Sequence, residues 1–149
     1  MSLPPAARLR SAVPALPVAD VDATAAWYAA ELGFRTAGIF PPRPPSVWAS
    51  LQRDRAEIML QRVEGVAAPG THLALPRAPW HIYFRMDGVQ ALYDTIRDKP
   101  YVTMPLRRQP YGDWEFELQD LNGYVLVFGG DETIPHRGEA PRRGEEGRA

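Results

Sequence analysis

The stretch 107-RRQPYGDWEFELQDLNGYVLVFGG-130 decides the fold. WEFELQD and GYVLVFGG flank Leu121-Asn122-Gly123, and Asn-Gly supplies the geometry of a tight turn, so the pair reads as a β-hairpin. In its first arm Trp114 and Phe116 alternate with Glu115 and Glu117, which puts the two acids on one face of the strand. That acidic face is expected to be solvated, with Glu115 or Glu117 also placed to meet a ligand amine.

Upstream of the hairpin, YVTMPLRR (101–108) reads as a strand, GVQALYDTIRD (88–98) as an amphipathic helix and WHIYFRM (80–86) as another strand. The same order occurs earlier. SAVPALPV (11–18) has a short strand pattern, Asp20 or Asp22 caps the helix DVDATAAWYAAEL, and Gly33 ends it. FRTAGIF (34–40) follows as a strand, then VWASLQ (47–52) and AEIMLQRV (56–63) as a hairpin about Arg53-Asp54-Arg55. The run 41-PPRPP-45 lacks the N–H groups a ladder needs and reads as a rigid crossover or cleft rim. Trp27 and Tyr28 on the first helix, and Leu92 and Ile96 on the second, are expected to pack each helix on its sheet.

An ungapped shift of 67 residues lays Asp20 on Asp87 and 51-LQ-52 on 118-LQ-119, which suggests an internal duplication. The expected fold is α+β: two βαβββ modules, 11–64 and 80–130, whose curved mixed sheets form a cleft. Residues 1–10 would be an N-terminal extension, 64–79 a loop or linker and 131–149 a polar mobile tail.

Composition narrows the chemistry. The chain has 149 residues, 45% hydrophobic, enough for one sizeable core. It has no cysteine, which excludes disulfides, thiolate nucleophiles and cysteine-held zinc or iron–sulfur centres. Lys plus Arg (17) nearly balances Asp plus Glu (18), so no global field draws in nucleic acid or an anionic membrane. No apolar run approaches the length of a membrane span and no secretory signal is evident, so a cytoplasmic protein is expected.

Three segments, 13-VPALPVADVDATAAWYAAELGF-34, 81-HIYFRMDGVQALYDTI-96 and 120-DLNGYVLVF-128, resemble the vicinal oxygen chelate superfamily of glyoxalases, extradiol dioxygenases, fosfomycin-resistance enzymes and bleomycin-resistance proteins. They are similar to its strand–Asp–helix–Leu-Gly-Phe opening, its His-Ile-x-Phe strand and its Asp-Pro-x-Gly hairpin, with Leu121 in place of the proline. The resemblance implies a divalent metal held by one residue from each of four strands. Those positions fall at Val13 or Pro14, Met59 or Leu60, His81 and Val127, and only His81 has a donor. One imidazole does not replace the water shell of a divalent ion, so neither metal nor other cofactor is expected.

The phrases 11-SAVPALPVADV-21 and 109-QPYGDWEFELQDLNGYVLVF-128 look most like the bleomycin-resistance branch, which also lacks the metal and whose dimers sequester a flat cationic antibiotic in grooves lined by both subunits. What this resemblance implies is a homodimer that binds a planar hydrophobic or antibiotic-like small molecule without transforming it. The ligand-binding candidates are Trp48, Trp80, His81, Tyr83, Arg107, Tyr111, Trp114 and Phe116, most of them aromatic faces suited to stacking. No catalytic residue is assigned. Arg107 and Arg108, if they line the groove, would oppose a cation and favour a neutral or anionic ligand. His72 and His136 are expected to be exposed in a loop and the tail. The alternatives are a metal-dependent lyase, isomerase or dioxygenase of the same superfamily, and a non-catalytic interaction module whose cleft its own side chains fill.

Overall fold

Hydrophobic alternation and turn chemistry produce the predicted order of elements. In the computed structural model, which describes residues 6–66 and 79–131, β1 (Ala15–Val18), α1 (Val21–Leu32), β2 (Arg35–Phe40), β3 (Trp48–Arg53) and β4 (Ala56–Arg62) are followed by β5 (Ile82–Arg85), α2 (Val89–Ile96), β6 (Val102–Arg108), β7 (Trp114–Gln119) and β8 (Val125–Gly130). The chain divides into two compact units, Met1–Ala74 and Leu75–Ala149. Each holds a four-stranded mixed sheet, ordered β1-β4-β3-β2 in one and β5-β8-β7-β6 in the other, with the first strand parallel to the last. The fold is α+β, as expected. Much of the 64–79 loop and the tail beyond 131, with His72 and His136, lie outside the described residues. Among the described residues no helix is long and apolar enough to cross a membrane.

Of the two acids offered as caps for α1, Asp20 takes the role, accepting from the Ala23 N–H at 2.8 Å. Asp22 instead accepts from the Ser46 N–H and hydroxyl, both at 2.8 Å. These two bonds tie the end of the proline run to the helix start and hold the Asp22 carboxyl below its ordinary pKa, the backbone bond contributing most. Gly33 closes the helix in the left-handed conformation. In the first unit Leu16, Val18, Leu51, Ile58 and Leu60 are buried along with Tyr28 and Leu32 of α1.

The two units repeat each other with one irregularity. Leu51 and Leu118 are equivalent fully buried strand residues, as the shift of 67 proposes. The residue preceding α2, however, is Gly88, so Asp20 corresponds to Gly88 and not Asp87, and α2 has no side-chain cap.

Asp120 organises the last hairpin. Its side chain, 5% exposed, accepts from the Asn122 N–H at 2.8 Å and the Tyr124 N–H at 2.9 Å, while its carbonyl accepts from Gly123, whose φ is 85°. The turn is held without the proline that Leu121 replaces. Asp120→Ala leaves two inner N–H groups short of an acceptor and is expected to lower unfolding free energy by about 1–3 kcal/mol. A urea titration with unchanged slope and a lower midpoint would show it; an unchanged midpoint would mean water replaces the carboxylate fully.

Candidate functional site

The second sheet has two unlike faces, and strand register fixes which residue lies on each. Phe84, Phe128 and Phe116 stand side by side across β5, β8 and β7. Their rings stack, with centroids 4.9 Å apart for Phe84–Phe128 and 5.3 Å for Phe116–Phe128, and Tyr93 of α2 meets Phe116 at 5.3 Å. This is the helix-covered side. One residue along, Tyr83, Val127 and Glu117 form one row on the opposite face, and Arg85, Gly129 and Glu115 the next.

On that opposite face a glycine makes room for a polar cluster. A Cβ at Gly129 would collide with the Tyr83 hydroxyl and come within 2.9 Å of the Glu115 Cγ. Without it, Tyr83 reaches from β5 across β8 to β7 and donates to Glu115 Oε1 at 2.8 Å. Tyr111, in the loop between β6 and β7, donates to the same oxygen at 2.7 Å. Glu115 is 1% exposed, and its Oε2 is buried with no hydrogen-bond partner. Beside the cluster the Trp80 Nε1–H donates to Glu117 Oε1 at 2.7 Å, and the Trp80 and Tyr83 rings lie 5.6 Å apart. Arg85 sits 5.5 Å from the Tyr83 ring centre and pairs with Asp113 at 3.4 Å. Burial first, then the bond to Glu115 and the nearby negative charges of Glu115 and Asp113, push the Tyr83 phenol above its ordinary pKa, with Arg85 opposing.

The eight candidate residues therefore separate. Trp80, Tyr83 and Tyr111 come together around the two glutamates. Arg107 lies opposite Glu115 in the β6–β7 register, yet it is exposed and forms no ion pair among the described residues. Trp48 belongs to the first unit, half-buried on the face away from Ala49 and Leu51, with its ring against Gly38. Phe116 is fully buried under α2, and alternation puts the half-buried Trp114 on that same side. The structure does not bring these two to the face of Glu115. Glu115, read from the sequence as solvated or as meeting a ligand amine and left out of the eight, is buried here. Its signal was Gly129, which stands directly opposite once the hairpin register is counted from the Asn122-Gly123 turn.

His81 has a different constraint. Its Nδ1 accepts from the Val125 N–H at 2.9 Å, and its ring meets Tyr124 edge-on at 5.1 Å. With Nδ1 accepting, the neutral ring carries its proton on Nε2, so neither nitrogen presents a free lone pair. At the other positions that the resemblance assigns to metal, Leu60 and Val127 are wholly buried and apolar. Among the described residues no three His, Cys, Asp or Glu side chains gather as a metal site. The residues at these four positions do not fit a divalent ion.

Paired βαβββ units with this hairpin define a class, and sequence agrees with it. The Glyoxalase/Bleomycin resistance protein/Dioxygenase superfamily matches residues 10–128, and the chain belongs to that family. It is similar to the bleomycin resistance determinant encoded on transposon Tn5, with 25% identity over 83% of this chain and 99% of that one and a TM-score of 0.61. A bleomycin-binding protein complexed with bleomycin is 26% identical over 83% of this chain and 100% of its own, with a TM-score of 0.60. A glyoxalase-related enzyme from Clostridium phytofermentans, 15% identical over 86% and 99% of the two chains with a TM-score of 0.66, shares the fold alone. No curated protein sequence matches the chain.

Proposed function

We propose that the chain is a metal-independent small-molecule-binding protein of the bleomycin-resistance type, a cytoplasmic homodimer that sequesters a planar hydrophobic or antibiotic-like ligand and leaves it unchanged. The observation that carries this reading is the face formed by Trp80, Tyr83 and Tyr111 around Glu115 and Glu117. Aromatic surface with a few convergent polar groups is the usual make-up of a small-molecule site: rings supply stacking and apolar burial, and polar atoms fix orientation. Within the second unit His81 extends the same reading as a flanking ligand contact and Arg107 as a charged rim; Trp48, in the first unit, is retained as a separate aromatic ligand contact. The bleomycin resistance determinant and the bleomycin-binding protein support a ligand of this class. The apolar residues at the metal positions, and the engaged imidazole of His81, support binding without a metal.

Isothermal titration of metal-free bleomycin into the purified protein, repeated with copper-loaded drug, tests the proposal. Saturable binding near one drug per chain is the expected result. Stoichiometric zinc, nickel, iron or manganese in the purified protein, with turnover that depends on it, would replace the binding reading with an enzymatic one.

A further inference from the structure

We infer that the second sheet recognises planar acids, with Arg107 as the anchor for one anionic group of the ligand and Arg85 as the anchor for another at the opposite border. The inference rests on the binding reading above and adds the chemical class. Register places Arg85, Gly129, Glu115 and Arg107 in one row across β5, β8, β7 and β6, so the row carries a cation on each border strand. With neighbouring strands about 4.8 Å apart, the two border backbones stand roughly 14 Å from each other. Two long side chains leaning inward over that span suit a flat molecule of a few fused rings with an acid at each end.

Both guanidinium groups are within a ligand's reach. Arg107 is exposed and, among the described residues, pairs with no acid, because Glu115 opposite it lies buried beneath Tyr83 and Tyr111, whose hydroxyls it accepts. The Arg85 side chain is 77% exposed and meets Asp113 only at 3.4 Å, an exposed ion pair of the kind that is worth little and exchanges readily. Glu115, Glu117 and Asp113 each already accept a donor within the chain, from the phenols, from Trp80 and from Arg85. A carboxylate or sulfonate brought to either arginine gains a two-pronged, charge-assisted contact that none of these acids makes with Arg107. Between the borders lie rings to stack on: Tyr83, which crosses Gly129, and Tyr111, 63% exposed. The consecutive Arg107 and Arg108 do not act together, since Arg108 stands opposite Trp114 on the other face, its Nε 3.5 Å from the Gly112 carbonyl oxygen.

The test uses the full chain and two three-ring probes: anthraquinone-2,6-disulfonate, a planar dianion, and proflavine, a planar cation. Wild type is expected to bind the disulfonate more tightly than proflavine. Arg107→Gln and Arg85→Gln should each weaken the disulfonate by about three- to tenfold and leave proflavine no weaker. Arg108→Gln removes the same charge from the other face and should leave the disulfonate nearly unchanged. Unchanged disulfonate affinity in a folded Arg107→Gln variant, equal losses in Arg107→Gln and Arg108→Gln, or tighter binding of proflavine by wild type overturns the anionic assignment, while saturable binding of proflavine or bleomycin leaves the binding reading in place. If wild type binds none of the three, both proposals fall.

Discussion

Phe116→Ala is expected to lower unfolding free energy by on the order of 3–5 kcal/mol, the range for removing a large aromatic side chain from a core. The ring is fully buried, stacked on Phe128 and touching Tyr93 of α2, so its removal opens a void between sheet and helix that neighbours on regular elements fill poorly. The unfolded chain is affected much less, so nearly the whole change should appear as a lower denaturation midpoint. Because the ring lies on the face opposite Glu115, ligand affinity of the folded fraction should be close to wild type. A stable Phe116→Ala protein with lost ligand binding would show instead that this ring belongs to the ligand site.

Gly129→Ala should displace Tyr83, although one methyl group is a small addition. The new Cβ would occupy the place of the Tyr83 hydroxyl and approach Glu115 Cγ, while β8 is held between β5 and β7 and has little freedom to retreat. The expected loss is about 1–3 kcal/mol from overpacking, with the Tyr83–Glu115 bond lost as well. A double-mutant cycle isolates the cause. In a Tyr83→Ala background only the 2.9 Å approach to Glu115 Cγ remains, so Gly129→Ala should cost less there than in wild type. Equal costs in both backgrounds would place the strain elsewhere in β8.

The order of elements was legible because each signal is local. Asn122-Gly123 marks a turn, Asp20 and Gly33 bracket a helix, and 41-PPRPP-45 interrupts a sheet. The faces were harder to read. Alternation in β7 separates Trp114 and Phe116 from Glu115 and Glu117, but it does not say which pair the helix covers, and β8 gives no guide because all six of its residues are buried. Glu115 was placed by default on a solvated face, with contact to a ligand amine as the alternative, since a lone carboxylate avoids the interior. What overrides that tendency is a three-strand arrangement: a glycine on the middle strand and a tyrosine on the far one. His81 was read as the one donor at the metal positions and as a ligand contact; the backbone N–H of Val125 occupies its Nδ1. No short-range pattern announces that bond, because it joins residues far apart in sequence.

The irregular outer strands have a consequence for how the protein behaves when concentrated. β6 lies at one border of its sheet, and it carries Pro105, two breaks in register with β7, and the charged pair Arg107 and Arg108. β2 holds the same position in the first sheet and is broken between Thr36 and Gly38. A strand from another molecule needs a straight, regularly spaced row of donors and acceptors to add on, and these borders do not offer one. The sheets are thereby guarded against templated growth into aggregates along β2 and β6, independently of what the protein binds.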